Sequence, residues 1–157
     1  MKLDFARQLI LAIVSFAFFA MAASAADLKM ELLAEAAIDG DLEIDGTLVG
    51  GLSGLTFDPG CGLYHAISDD RGRIGPMRFY TFRIADIDTA EVDILSATLL
   101  RRQSGDLFEP GDLDPEALAL HPDGSLYLAS EGVPHRGIHP LVAWFSLDGT
   151  FRGRLEL

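Results

Sequence analysis

The 157-residue chain repeats itself at an offset of 63 residues, and nothing else in it restricts the fold so strongly. Leu55 matches Leu118, Pro59 matches Pro122, Leu63 matches Leu126, Tyr64 matches Tyr127, Ala66 matches Ala129 and Phe82 matches Phe145. Each copy reads strand, tight turn, strand, loop, strand, turn, strand, in short alternating or β-branched and aromatic runs bounded by turn residues. The strand stretches are Thr47–Asp58, Leu63–Ser68, Arg78–Ile84 and Glu91–Leu100, then Glu116–His121, Leu126–Ser130, Leu141–Leu147 and Thr150–Leu157. Four antiparallel strands per repeat is the blade of a β-propeller. The expected fold is all-β, with about two four-stranded blades. The period exceeds the roughly 40–45 residues of a common blade, and Ala85–Asp114 can hold the excess. A β-sandwich with two similar hairpins is the alternative. Two blades cannot close a ring, and Thr150–Leu157 alternates to the last residue, so we expect an incomplete propeller, the N-terminal part of a longer protein. Leu28–Ile38 is ambiguous: its Ala and Glu allow a helix, and an incomplete ring would use it as an outer strand. Asp39–Asp45 is acidic and turn-like.

The start of the chain has a different character. Met1–Gln8 carries Lys2 and Arg7, Leu9–Ala22 is apolar except for Ser15, and Ala23-Ser24-Ala25 supplies small residues. This is the layout of a secretory signal peptide cleaved after Ala25, and the apolar run is short against the ~20 residues of a membrane span. The expected organisation is a leader over 1–25 and one domain over 26–157, periplasmic or secreted, with no span after cleavage. Twelve Lys/Arg stand against 24 Asp/Glu, a net charge of −12. That argues against a phosphate-backbone binder of nucleic acid. Cys61 is the sole cysteine, which excludes a disulfide within the chain and a multi-thiolate zinc site.

Chemistry is expected at one rim. Asp123-Gly124 is a two-residue hairpin signal. Counting outward from it, Pro122 faces Ser125, Leu120 faces Tyr127, Leu118 faces Ala129, and Glu116 faces Glu131. Opposed like charges destabilise a strand pair, so a cation, an arginine or a raised pKa must offset them; Ca²⁺, which takes several carboxylate and carbonyl oxygens, suits the setting. A one-residue slip would destroy the pairing. The 63-residue offset carries Glu116 to Ser53 and Glu131 to Ser68, which precedes Asp69, Asp70 and Arg71. Antiparallel geometry then gathers Ser53, Ser68–Arg71, Glu116 and Glu131 on one rim. Asp69 and Asp70 are adjacent and point to opposite faces of an extended segment, so one of them faces the axis. The alternatives are solvated rim carboxylates and a surface turn closed by its own ion pair.

Several motifs fail, and this narrows the chemistry. Gly51-Leu52-Ser53-Gly54-Leu55 lacks the final glycine of a nucleophile elbow. Asp39–Gly50 imitates an EF-hand loop, but its glycine is misplaced and its twelfth residue is not Glu. His135 and His139 sit among Pro134, Gly137 and Pro140, which oppose a zinc-binding helix. Cys61 lies in a Pro-Gly-Cys-Gly turn, as an exposed thiol or one paired outside this chain. Phe79, Tyr80, Phe82, Trp144 and Phe145 are expected in the core between blades.

Gly50-Gly51-Leu52-Ser53-Gly54-Leu55, Ser68-Asp69-Asp70-Arg71-Gly72, Arg78-Phe79-Tyr80-Thr81-Phe82, Asp114-Pro115-Glu116-Ala117, Gly124-Ser125-Leu126-Tyr127 and Ser130-Glu131-Gly132 follow one another in an order that resembles the phytase-like family, the bacterial proteins described as having esterase-like activity of phytase. The resemblance spans about residues 50–150. It implies a secreted or periplasmic β-propeller and an ester or phosphoester hydrolase. The family pattern has Gly after the glutamate, where this chain has Ala117. Two readings follow. In the first, Asp69, Asp70, Glu116 and Glu131 hold Ca²⁺, Arg71 and Arg78 hold the oxyanion of a small ester or phosphoester substrate, and the bound metal activates water. In the second, the domain is a non-catalytic envelope propeller that binds a ligand or protein, and the same acids hold a structural Ca²⁺.

Overall fold

A computed structural model of the chain describes residues 29–155. The expected leader over 1–25 lies outside them. Leu33–Leu157 forms one compact unit by its internal contacts. Among the described residues there is no α-helix, hence none long and apolar enough to cross a membrane.

The described residues form ten strands: β1 (Glu43–Ile44), β2 (Thr47–Leu48), β3 (Leu52–Asp58), β4 (Leu63–Ser68), β5 (Arg78–Asp86), β6 (Glu91–Leu99), β7 (Pro115–Leu120), β8 (Leu126–Ser130), β9 (Leu141–Phe145) and β10 (Phe151–Leu155). β1 and β2 form a small hairpin. β3–β6 and β7–β10 form two four-stranded sheets in simple meander order, antiparallel throughout. Leu52 and Pro115, Leu63 and Leu126, and Arg78 and Leu141 open the matching strands, each pair 63 residues apart. The first strand of one sheet lies against the first strand of the other. That is the relation of neighbouring propeller blades, without the Greek-key crossovers of a sandwich. The fold is therefore all-β, with two propeller-like blades that do not close a ring.

The inner strands meet at a glycine. A β-carbon on Gly54 would lie 2.6 Å from the Ala117 carbonyl carbon, and closer still to Ala117 Cα and Leu118 N. Ser53 Oγ donates to the Glu116 carbonyl at 3.0 Å, and Leu120 N–H donates to Thr56 Oγ1 at 3.0 Å. Behind this seam, Ile67 and Phe79 of the first blade pack with Leu118, Leu126, Leu128, Ala143 and Phe145 of the second. Tyr80, Phe82 and Trp144 are not part of that cluster, and Phe82 stacks on Tyr64 instead. Tyr80 lies under the β1–β2 hairpin and donates its hydroxyl to Leu48 O; Trp144 stands edge-on to Tyr127.

Two expected elements change. Residues 29–38 form neither helix nor strand. The run expected over Thr47–Asp58 is cut at Val49–Gly51, where Gly51 takes φ +60°. Before it, Asp45 and Gly46 both have positive φ (49° and 74°) and close the β1–β2 hairpin as a two-residue loop.

The link between the blades, residues 100–114, doubles as a clasp. Arg101 pairs with Leu107 on one side and Thr150 on the other. Arg101 N–H donates to Gly149 O and Phe151 N–H to Arg101 O, both at 2.8 Å. Gly149, at φ +82°, lies so close to Leu99 that a β-carbon would stand 3.0 Å from its carbonyl carbon.

His65 is buried, with Nδ1 3.0 Å from Thr81 Oγ1 and Nε2 unpartnered. Burial lowers its pKa, with Asp58 a weaker opposing influence. A histidine held below its unfolded value near 6.5 loses folding stability as pH falls through that value. Acidification from pH 7.5 to 5.5 is therefore expected to lower the melting temperature of the wild type more than that of His65→Gln.

Candidate functional site

The β7–β8 hairpin positions the site by a route other than the expected one. A two-residue Asp123-Gly124 loop would pair Pro122 with Ser125 and need an N–H from Pro122, which proline lacks. His121 makes that bond instead: its N–H donates to Ser125 O at 2.8 Å, and Gly124 N–H returns to His121 O at 2.9 Å with Gly124 at φ +85°. This is the three-residue loop ending in a left-handed glycine. The register is thus one residue away from expectation, with Leu120 opposite Leu126, Leu118 opposite Leu128 and Ala117 opposite Ala129. A β-bulge between Pro115 and Ala117 shifts the register by one residue more, because Pro115 pairs with Ser130 and Glu116 is the extra residue, so the expected cross-strand pairing of Glu116 with Glu131 does not form. Bulges re-aim a side chain without breaking the sheet. The first blade carries an irregularity at the same place, between Leu52 and Leu55.

From the bulge Glu116 still extends its carboxylate to that of Glu131, and Asp114 joins them. Carboxylate oxygens of the three lie within 4.8 Å of one another. The backbone around them is well tied: Asp114 N–H donates to Ser130 Oγ at 2.9 Å, Gly132 N–H to the same oxygen at 3.2 Å, and Glu131 N–H to Asp114 O at 3.0 Å. Asp114 is 4% exposed. Arg71 Nε stands 2.6 Å from its Oδ1, yet no donor is aligned for a hydrogen bond to that oxygen. Loss of water raises the Glu116 pKa above its usual value. Asp114, Glu131 and Asp69 raise it further, and Arg71 partly offsets them. Charge thus accumulates here ahead of any counter-ion.

The Ser-Asp-Asp-Arg segment divides as adjacency demands. Asp69 is exposed and within the field of Glu116. Its carboxylate lies over Gly51, where a β-carbon would stand 2.5 Å from Oδ1. Asp70 turns inward. Its Oδ1 accepts from Gly72 N–H and its Oδ2 from Arg78 Nη1, both at 2.7 Å. Arg78 is 1% exposed and also donates to Pro76 O, Leu48 O and the Tyr80 hydroxyl. The structure therefore places Asp70 and Arg78 inside the first blade, away from solvent and from each role expected of them, with both Asp70 oxygens already taken. Arg71, Asp69, Glu116 and Glu131 remain at the rim. Sequence reasoning left Asp114 out of the ligand set; the Asp-Pro-Glu spacing was the available signal, because the bulge puts residues 114 and 116 on one side. Cys61 is an exposed free thiol, and Pro134–Arg136 is a single 3₁₀ turn.

A family model described as "Phytase-like: Esterase-like activity of phytase" matches residues 47–157. The chain belongs to the phytase-like family. The match opens on β2 and covers both blades, the site included. No curated protein and no solved structure matches significantly. Ala117 is the residue that Gly54 approaches backbone to backbone, and the missing side chain of Gly54 makes room for the seam.

Proposed function

We propose that this phytase-like domain hydrolyses an ester or phosphoester outside the cytoplasm, in the periplasm or after secretion, and that Asp114, Glu116 and Glu131 hold a Ca²⁺ ion with Asp69 at the margin. The observation that carries the reading is the convergence of three carboxylates within 4.8 Å around a buried aspartate whose Oδ1 lacks an aligned donor. An all-oxygen donor set of this charge fits a hard divalent cation such as Ca²⁺. Bound there, the ion would supply Lewis-acid polarisation of a phosphoryl or carbonyl oxygen. The protein groups do the remaining work. Glu116 can orient an attacking water by accepting a hydrogen bond from it through an oxygen that does not bind the ion. Arg71 keeps its outer nitrogens free of ion pairs among the described residues, and they can hold a substrate oxyanion by a two-pronged contact. Ser130 fixes the backbone of Asp114 and Gly132.

Thermal unfolding of the full chain with Ca²⁺ and with EDTA tests the site. Ca²⁺ at about 100 times its Kd should stabilise the fold by roughly 2.7 kcal/mol, a rise of several degrees. Without metal, the raised Glu116 pKa makes the fold lose stability as pH rises from 4.5 through the folded value. Glu116→Gln should therefore raise the melting temperature in EDTA and abolish the Ca²⁺ response. A Ca²⁺-indifferent wild type would remove the metal. For the reaction, Glu116→Gln should lose turnover and keep its fold. Absence of turnover of carboxylic and phosphate esters by a Ca²⁺-responsive wild type would favour the non-catalytic reading, in which the same acids hold a structural ion.

A further inference from the structure

Beside the carboxylates lies a pocket of opposite character. It has a volume of about 180 Å³ and is lined by Arg71, Arg73, Pro110, Gly111, Val133, His135 and Arg136. We propose that it is an oxyanion subsite for a phosphate group, built from Arg71 and Arg73 of the first blade and His135 and Arg136 of the second. This deepens the hydrolase reading, and rests on it for the subsite's purpose but not for its chemistry.

Three arguments support it. First, the chain carries −12 with twelve Lys/Arg in all, and three of those twelve line this one small pocket. Second, the nearby carboxylates neutralise only part of that charge. Asp114 takes Arg71 through Nε. Asp112 is bonded to Arg102, with Arg136 Nη2 a longer 3.9 Å away. Arg73 makes no ion pair among the described residues. Third, the arginines are pre-positioned. Arg71 sits at φ +59° in the tight turn after Asp70, and its carbonyl accepts from Gly111 N–H at 2.9 Å. Arg136 Nη1 donates to Pro110 O at 2.9 Å and lies against Gly111, where a β-carbon would stand 2.5 Å from that nitrogen. Planar guanidiniums from two directions match a tetrahedral oxyanion and satisfy several of its oxygens at once. Arg71 borders both pocket and carboxylates and so joins the subsite to the candidate metal site.

The probe is inorganic phosphate, titrated into the full chain in EDTA by calorimetry, with acetate as the carboxylate control. The expected result is saturable phosphate binding, weakened at least about tenfold in Arg73→Gln/Arg136→Gln (a loss of ~1.4 kcal/mol) and unchanged in Glu91→Gln on the outer strand of the first blade, with acetate binding more weakly. Unchanged melting temperatures check that the variants fold. No saturable phosphate binding, binding retained by the double variant, or acetate binding equally well would each overturn the subsite. EDTA separates this outcome from the metal. Phosphate binding without ester turnover leaves the subsite standing and removes the hydrolase, whereas turnover without phosphate binding does the reverse.

Discussion

Gly54→Ala is expected to lower the melting temperature by more than about 10 °C, from a loss of roughly 3 kcal/mol or more. The added methyl would meet Ala117 Cα, the Ala117 carbonyl carbon and Leu118 N. All three are backbone atoms of a strand paired on its other side with β8, so no side chain can swing away and the blades must separate. A domain with 5–15 kcal/mol of total stability tolerates few such events. Truncating the neighbour does not help: Ala117→Gly in the Gly54→Ala background should leave most of the loss, because the clash is with main chain. Gly40→Ala is the control. Gly40 has no positive φ and nothing within 4 Å, and it should shift the midpoint by a degree or so. A Gly54→Ala protein with wild-type stability would mean that the inner strands do not meet as described.

Arg78→Gln comes next in size, with an expected loss of about 3–5 kcal/mol. Arg78 and Asp70 are 1% and 5% exposed at the side chain and joined at 2.7 Å. Removing the guanidinium leaves a buried carboxylate unpaired, since Gly72 N–H alone serves its other oxygen. It also strips donors from Leu48 O and Pro76 O and a partner from the Tyr80 hydroxyl. The β1–β2 hairpin would lose its anchor to the first blade. Denaturant unfolding checks this: a large drop in midpoint with phosphate affinity unchanged is expected. A stable Arg78→Gln protein with weakened phosphate binding would return Arg78 to the substrate, where the order of residues alone had put it.

The repeat made the blades legible, and the reasons some details were not are specific. Every one of the six matched pairs falls on a strand or its turn. Yet Tyr64 pairs with Phe82, whereas Tyr127 pairs with Trp144 rather than with Phe145, the match of Phe82. The register between the second and third strands thus differs by one residue between the blades, as does that between the first and second, where the loop after Asp58 has four residues and the loop after His121 three. Identical letters at a fixed offset therefore do not guarantee identical surroundings. Of the four Asp-Gly pairs in the sequence, Asp45-Gly46 forms a two-residue loop between paired strands, whereas Pro122 denies that loop to Asp123-Gly124. Glu116 and Glu131 are not the cross-strand partners that counting from the turn required; their carboxylates converge because Glu116 is the bulged residue, which no local pattern announced. Asp70 and Arg78 were misplaced for another reason. Charged residues are almost never fully buried unless paired, and their pairing across seven intervening residues depends on the turn at Arg71. The arginine pocket joins loops about 60 residues apart in the chain and has no signature in either.

The clasp at Arg101 also sets an order of events. Pairings within each meander join residues close in the chain and form early, as low contact order requires. The Gly149–Phe151 contacts with Arg101 instead span about fifty residues and cannot form until β9 has emerged. During synthesis the first blade therefore waits with one face uncovered, and the last hairpin arrives as a latch onto a segment made much earlier. A ribosome pausing before Ser146 would hold the nascent chain in that half-covered state, where chaperones and proteases compete for it.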